Sequence, residues 1–146
     1  AEAAGLDIEQ SRIVVGPDMA SSAPGIFAAG DVALAYNSSA GRRIAVEHWQ
    51  DAADQGAVAG ASAAGVDAEW DGVPGFWTTI GDSEVKYHAW GDGYQDSRML
   101  HRDDGFTVWY ESGGATVGVL TLNADDDYDL GERLIKDGAP APVPMR

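Results

Sequence analysis

The stretch from Ser21 to Val32 constrains the fold of this chain more than any other, and its sequence is SSAPGIFAAGDV. A short apolar run lies between a Pro-Gly pair and a Gly-Asp pair, a pattern that predicts a buried parallel strand. Open α/β sheets bind ligands just past the carboxyl ends of such strands. There Gly30 would let a ligand approach the backbone, and the Asp31 carboxylate would accept hydrogen bonds from sugar or polyol hydroxyls. A strand that ends in an ordinary Asp-containing turn explains the same residues equally well.

The same stretch resembles the second flavin fingerprint of FAD-dependent pyridine-nucleotide oxidoreductases, Thr-Ser-x-Pro-Gly-Ile-(Tyr/Phe)-Ala-x-Gly-Asp-(Val/Ala). The resemblance implies that Asp31 binds the ribityl chain of FAD and that the backbone at Val32 lies close to the cofactor. Ser21 stands where the family usually has Thr and keeps the hydroxyl. Gly30, Asp31 and Val32 are therefore candidate cofactor-binding residues.

A second candidate segment opens a helix that we predict from about Val46 to Ala64. The triplet Glu47, His48 and Trp49 resembles the Glu-His-Trp of ferredoxin reductases such as the putidaredoxin and rubredoxin reductases. The resemblance implies that this first turn points at the pyrimidine edge of the flavin. Free N–H groups and the helix dipole would stabilise negative charge on the reduced ring there. A purely structural role explains His48 equally well.

Small residues recur at spacings of three and four along the same helix, and the spacing indicates a close approach to a sheet or cofactor, or simple tight packing. They are Ala52, Ala53, Gly56, Ala59, Gly60 and Ala63.

The C-terminal half begins with a motif that follows a polar linker, and we place the domain boundary near Trp70. Residues 73–79, VPGFWTT, resemble the Val-Pro-x-Phe-Trp-Ser/Thr that begins the reductase C-terminal domain. The resemblance implies that Trp77 lies beside the isoalloxazine ring and makes it the last candidate cofactor-binding residue. Without the resemblance, a buried core indole is the more economical interpretation. Thr79 and Ile80 stand where the family usually has Asp-Gln.

Alternating residues and turn signals predict four further strands, over residues 84–90, 97–101, 106–111 and 116–122, arranged as an antiparallel meander. A terminal helix from about Asp125 to Lys136 follows, capped by Asn123 or a following Asp, with a loose tail over residues 139–146. Leu130 and Leu134 should lay this helix on the sheet beside Ile135.

These elements predict an α+β chain in two parts. Residues 1–70 would be the C-terminal βα piece of an α/β FAD-binding domain. Residues 71–146 would be the reductase C-terminal domain, an antiparallel sheet with a terminal helix that serves in interfaces or dimerisation.

The length of 146 residues is short for a flavin reductase of this kind, which needs an FAD domain, an NAD(P)H domain and a C-terminal domain. The sequence starts without Met and contains no Gly-x-Gly-x-x-Gly fingerprint. We therefore expect the tail of a longer protein, with the nicotinamide site outside this chain.

The charge and composition exclude several classes of function. The 24 acidic and 9 basic residues give a formal charge of −15, which predicts repulsion from nucleic acid and from anionic membranes. No apolar run is long enough to span a bilayer, and nothing resembles a signal peptide, so we expect a cytoplasmic protein. The absence of cysteine excludes a thiolate metal site within these residues.

The triplet Asp125 to Asp127 has the wrong spacing for an EF-hand loop and is better explained as complementing the helix dipole.

The resemblance implies an FAD-dependent NAD(P)H oxidoreductase that passes electrons through flavin to a ferredoxin-like carrier. We assign no catalytic side chain and no metal ligand, because the protein would position and tune the flavin rather than make bonds. The resemblance also allows a homodimer. The alternative is a non-catalytic docking or dimerisation module of a flavoprotein.

Overall fold

The computed structural model describes residues 1–142 and divides the chain into two compact units, Ala1–Gly72 and Val73–Arg146. The last four residues of the predicted tail lie outside the described residues. Within the described part of the chain, no helix is long and apolar enough to cross a membrane.

The first unit is a four-stranded sheet followed by one helix. Its strands are β1 (Ile8–Glu9), β2 (Arg12–Val15), β3 (Ala33–Asn37) and β4 (Arg42–Ala45), hydrogen-bonded in that order. Strands β2 and β3 run parallel, whereas the two outer pairs are antiparallel hairpins. Helix α1 (Trp49–Ala63) follows β4 directly. The parallel pair and the helix agree with the predicted βα piece.

The predicted parallel strand over the apolar part of the fingerprint is wrong. Ile26 accepts a hydrogen bond from Ser21 N at 2.9 Å, and Ala28 N donates to Met19 O at 3.1 Å. The segment therefore folds back on the residues just before it through isolated bridges and finds no parallel neighbour. The parallel strand that leads away from the fingerprint is β3, which begins one residue after Val32.

The second unit is a five-stranded antiparallel sheet with a helix packed on one face. Its strands are β5 (Gly75–Ile80), β6 (Ser83–Ala89), β7 (Asp96–His101), β8 (Phe106–Ser112) and β9 (Ala115–Leu122). The order β5-β6-β9-β8-β7 departs from the predicted meander, because β9 inserts between β6 and β8. Val119 on β9 is completely buried, so this apolar strand occupies the centre.

Helix α2 (Asp125–Asp137) packs its middle against the central strand. A Cβ atom at Gly131 would lie 2.3 Å from Cγ1 of Val119, so this glycine permits the close approach. Ile135 is 2% exposed and completes a core with Val73, Trp109 and Val119. Leu130 and Leu134 pack against that core and are partly buried, which places the centre of the buried face at Gly131 and Ile135 rather than at the predicted leucines.

Helix α2 is capped at its N-terminus by a different residue from the one predicted, but its C-terminus lies close to the predicted position. The N-cap residue is Ala124, whose side chain makes no cap hydrogen bond. Asn123 instead accepts from Glu84 N and donates to Asp104 O, because its side chain joins two neighbouring loops. Gly138 ends the helix in a left-handed conformation, as expected.

The start of the predicted loose tail is held on the sheet. Thr116 N donates to Ala139 O at 2.8 Å, and Ala141 N donates to Glu111 Oε1 at 2.6 Å. These two bonds dock residues 139–141 beside β8 and β9, so the tail prediction is wrong for these residues.

Candidate functional site

The seven predicted cofactor-binding residues fall on both units. The first unit holds six of them, in the turn Gly30–Val32 and in the segment Glu47 to Trp49 that enters α1. Trp77 lies in the second unit, on edge strand β5 opposite Lys86 of β6, and its side chain is 40% exposed. The first unit alone therefore contains most of the candidate site, and Trp77 belongs to the second unit.

The turn Gly30–Val32 is a short 3₁₀ helix that requires glycine at its first position. Gly30 has φ +74°, a left-handed conformation that L side chains rarely adopt. A Cβ atom there would also lie 3.0 Å from the Cβ of Ala52 on α1. The close packing against the helix leaves Gly30 buried, while Asp31 and Val32 are exposed, Val32 at 56%.

The side chain of Gln55 on α1 holds the turn from the helix side. Gln55 is fully buried, and its Oε1 accepts a hydrogen bond from Gly30 N at 2.8 Å. Within residues 1–142 its Nε2 is buried and has no hydrogen-bond partner. A buried amide whose two N–H donors are unmet costs stability, so this side chain carries a local penalty.

Arg12, at the start of β2, holds the turn from the sheet side. Its Nη1 donates to the carbonyl oxygens of Asp31 at 2.9 Å and of Val46 at 3.0 Å. Its Nη2 pairs with Oε1 of Glu47 at 2.6 Å. One guanidinium therefore contacts both candidate segments.

Glu47 and His48 precede the helix and only Trp49 belongs to its first turn, so the predicted helix start at Val46 is wrong by three residues. His48 is the N-cap residue, with extended backbone at φ −109° and ψ 145°. The Val46 carbonyl accepts from Arg12, and the adjacent Glu47 side chain pairs with the same guanidinium, which keeps this segment extended. Trp49 begins the helix and is 67% exposed.

Of the small residues along α1, Ala52 packs closely against Gly30, but a Cβ atom added at Gly56 or Gly60 would meet nothing within 4 Å. Only Ala52 and Ala59 of the six are partly buried, and the described structure leaves the other four exposed. The buried residues of the helix are Asp51 and Gln55. Polar side chains at these two positions indicate that the inward face of α1 makes specific contacts rather than a plain apolar seam.

The structure therefore brings the two candidate segments of the first unit together. Sequence reasoning missed Arg12 and Gln55, the two side chains that join them. A buried glutamine within a stripe of small residues was a signal that could have identified Gln55. No local pattern marks Arg12, because all three of its acceptors lie at least 19 residues away.

Two surface clefts among the described residues lie elsewhere. One, of about 670 Å³, surrounds the N-terminus of α2 between Glu84, Arg102 and the stretch 123–127. The other, of about 550 Å³, lies between Pro17 and the loop 65–69. Neither is lined by a candidate cofactor-binding residue.

Ion pairs at the N-terminus of α2 account for two members of its Asp triplet. Lys86 on β6 forms ion pairs with Asp125 at 2.8 Å and with Glu84 at 2.7 Å. These contacts raise the pKa of Lys86, and the contact with Asp125 has the larger effect. Asp127 accepts from Arg102 and Thr107. Within residues 1–142, no group of three His, Asp or Glu side chains could hold a metal ion. Asp125 and Asp127 thus anchor the helix to the sheet.

His88 on β6 is buried between the sheet and α2. Its ring stacks on Tyr128 with centroids 4.2 Å apart, and its Nδ1 lies 3.1 Å from Val73 O. Burial lowers the pKa of His88, against the opposing effects of Glu132 and Asp129. This histidine is a structural group of the second unit.

Comparison with known proteins gives relatives of one kind, although no family model matches the chain. Human apoptosis-inducing factor 3 is 32% identical over 128 residues, which is 83% of this chain and 20% of that protein. The ferredoxin–NAD(+) reductase component of the anthranilate 1,2-dioxygenase system of Burkholderia cepacia is 34% identical over 145 residues, 95% of this chain and 35% of that protein. The chain thus spans between a fifth and about a third of these curated relatives.

Solved structures agree with the sequence relatives. A ferredoxin reductase from Rhodopseudomonas palustris has a TM-score of 0.84 at 26% identity, over 96% of this chain and 35% of that one. Putidaredoxin reductase in its covalent complex with putidaredoxin has a TM-score of 0.83 at 26% identity, over 95% of this chain and 34% of that one.

The fold and the matches define the class: the chain corresponds to the C-terminal part of an FAD-dependent pyridine nucleotide-disulfide oxidoreductase. Within that class, the relatives of this chain include ferredoxin reductases. The resemblance read from the fingerprint is confirmed, and so is the α+β fold.

Proposed function

We propose that this chain is the C-terminal part of a flavoprotein that takes electrons from NAD(P)H and delivers them to a ferredoxin-like carrier. The observation that carries the proposal is the turn Gly30–Val32, which Gln55 holds from α1 while Asp31 and Val32 remain exposed. In this proposal residues 1–70 end the FAD-binding domain and residues 71–146 form the reductase C-terminal domain.

The residues of the site fit a flavin nucleotide. Asp31 offers an exposed carboxylate, which can accept hydrogen bonds from ribityl hydroxyls. Val32 and Trp49 expose apolar surface that a ring would cover, and the buried, unpartnered Nε2 of Gln55 lies directly behind the turn. The first N–H groups of α1 have no intrahelical acceptor, so they can stabilise an anion.

FAD, when bound, supplies the conversion between a two-electron donor and a one-electron carrier. The protein residues position it. We propose that Asp31 holds the ribityl chain, that Val32 approaches the cofactor through its backbone, and that the Glu47–Trp49 segment directs the positive end of the α1 dipole at the flavin. Trp77, from the second unit, would cover the ring with its indole.

The proposed partners are a ferredoxin-like electron carrier and a second copy of the protein, and the proposed location is the cytoplasm. The name of one neighbour, a putidaredoxin reductase–putidaredoxin complex, supports a ferredoxin partner. A charge of −15 supports the absence of nucleic-acid and anionic-membrane partners.

The experiment uses the full-length protein that carries this chain and, beside it, the 146-residue chain alone. The full-length protein should purify yellow, be bleached by NADH or NADPH under anaerobic conditions, and then reduce an added ferredoxin. The isolated chain should take up FAD weakly or not at all, because the adenine and pyrophosphate contacts belong to other segments. A colourless full-length protein that still folds and self-associates would favour the docking or dimerisation module instead.

A further inference from the structure

Arg12 joins two segments of the first unit that lie just beyond the end of the β3–β4 pairing, whose last pair is Leu34 and Ala45. Its guanidinium spans the Asp31 and Val46 carbonyls and the Glu47 carboxylate, all within 3.0 Å. Its side chain is only 18% exposed, so these bonds are partly shielded from water. Hydrogen bonds from a shielded charged donor are stronger than those between neutral groups in water.

The geometry of these contacts requires arginine. A guanidinium presents several N–H groups in one plane, whereas an ammonium group is a compact donor on a flexible stem. Two acceptors are main-chain carbonyls of the turn and of the helix entry, so the contacts fix backbone positions rather than side chains. Glu47 balances the positive charge of Arg12. The main effect of Arg12 is therefore to fix the positions of the two segments.

We propose that Arg12 is a positioning residue of the flavin site, which holds the Gly30–Val32 turn and the Glu47–Trp49 segment at one fixed separation. The inference rests on the proposed function of these segments and deepens it. Arg12 contacts no cofactor in this role. It acts through the Asp31 and Val46 carbonyls, so that the ribityl-binding turn and the helix N-terminus move as one body.

The test compares the full-length parent with Arg12→Lys and with Arg43→Lys, a control at an exposed arginine of neighbouring strand β4. Both changes keep the charge. Arg12→Lys should raise the FAD Kd on the order of tenfold, since it loses part of a charge-assisted network. It should also change the visible circular dichroism of bound flavin and speed hydrogen exchange in residues 30–32 and 46–49 of the apo protein together. Arg43→Lys should change none of these.

A second variant guards against loss of folding. Glu47→Gln removes only the charged contact, at a side chain that is 74% exposed, and should raise the Kd by about two- to threefold. The positioning role would be overturned if Arg12→Lys and Glu47→Gln both kept the FAD Kd, the circular dichroism and the hydrogen exchange of the parent. It would also be overturned if hydrogen exchange rose in only one of the two segments. A parent that binds no FAD would overturn the proposed function itself, and the flavin role of Arg12 with it.

Discussion

Gln55 accepts a hydrogen bond from the main-chain N–H of Gly30 at 2.8 Å, and this contact ties helix α1 to the fingerprint turn. A flipped amide would place two donors against each other, so the hydrogen bond sets the orientation of the carboxamide. The turn is therefore held by a buried side chain from one element and by Arg12 from another.

Replacing Gln55 with leucine should destabilise the 146-residue chain by about 1–3 kcal/mol, because it leaves the buried Gly30 N–H without an acceptor. The check is urea unfolding, together with hydrogen exchange at Gly30. Gln50→Leu is the matched control, since Gln50 bonds to Asp54 in an exposed pair one turn apart on the same helix. The control should cost less than about 0.5 kcal/mol, and equal losses in both variants would remove the special role of Gln55.

Gly30→Ala should cost more stability than Gly25→Ala. Both glycines have left-handed backbone, with φ +74° and +77°, so each substitution carries a strain of roughly 1–2 kcal/mol. Only Gly30 would also press a Cβ atom against Ala52, whereas nothing lies within 4 Å of the same atom at Gly25. The difference between the melting temperatures of the two variants reports the contact with Ala52, because both variants carry similar backbone strain. Identical melts would mean that the turn moves away from α1 at no cost.

In the full-length protein, Asp31→Ala should raise the FAD Kd by roughly tenfold to a hundredfold, because it removes a charge-assisted acceptor worth about 1.5–3 kcal/mol. Asp103→Ala, in an exposed loop of the second unit, should leave the Kd unchanged. FAD titration of both apo variants and their thermal melts provide the measurement. Should Asp31→Ala bind FAD like the parent, Asp31 is a structural turn residue and the flavin assignment loses its main support.

Stability of the second unit should fall as the pH drops below about 6.5, the ordinary pKa of histidine, because burial lowers the pKa of His88 in the folded state. At pH values between the folded and the unfolded pKa of His88, the unfolded chain binds one more proton, so lowering the pH favours unfolding. Above about pH 6.5 the contribution of His88 to stability is fully present. The groups that face the ring are Tyr128, Glu132 and Asp129 on α2 and the carbonyls of Val73 and Pro74.

The measurement is urea unfolding between pH 5 and 8. His88→Gln should flatten this part of the profile. The exposed His48 and His101 supply the comparison. A profile that keeps its slope in His88→Gln and loses it in His101→Gln would contradict the assignment.

Ile135→Ala should destabilise the second unit by about 2–5 kcal/mol, because it removes a side chain from the core beneath α2. Leu134→Ala should cost less, since Leu134 is only partly buried on the same helix. Arg133→Ala, at an exposed position, is the control and should stay within about 0.5 kcal/mol. Chemical denaturation ranks the three, and a larger loss at Leu134 than at Ile135 would mean that the helix is rotated from its described position.

The sequence identified the elements whose signals are local. Turn residues marked the hairpins of the second unit, and the predicted end of α2 at about Lys136 is close to its observed end at Asp137. The fingerprint around Asp31 indicated the family because its special residues stand together in the chain. Each of these features depends on neighbours within a few residues.

Only the tertiary structure decided how these elements pair. Residues 26–29 have the composition of a buried strand, yet they bridge back to Met19 to Ser21 because no parallel neighbour is available to them. Strand β9 entered the centre of its sheet because burial of Val119 needs a strand on both sides and a helix above. Helix α1 began at Trp49 because the Val46 carbonyl and the Glu47 side chain bond to Arg12. These outcomes depend on partners far away in the chain, which hydrophobic period and turn chemistry do not encode.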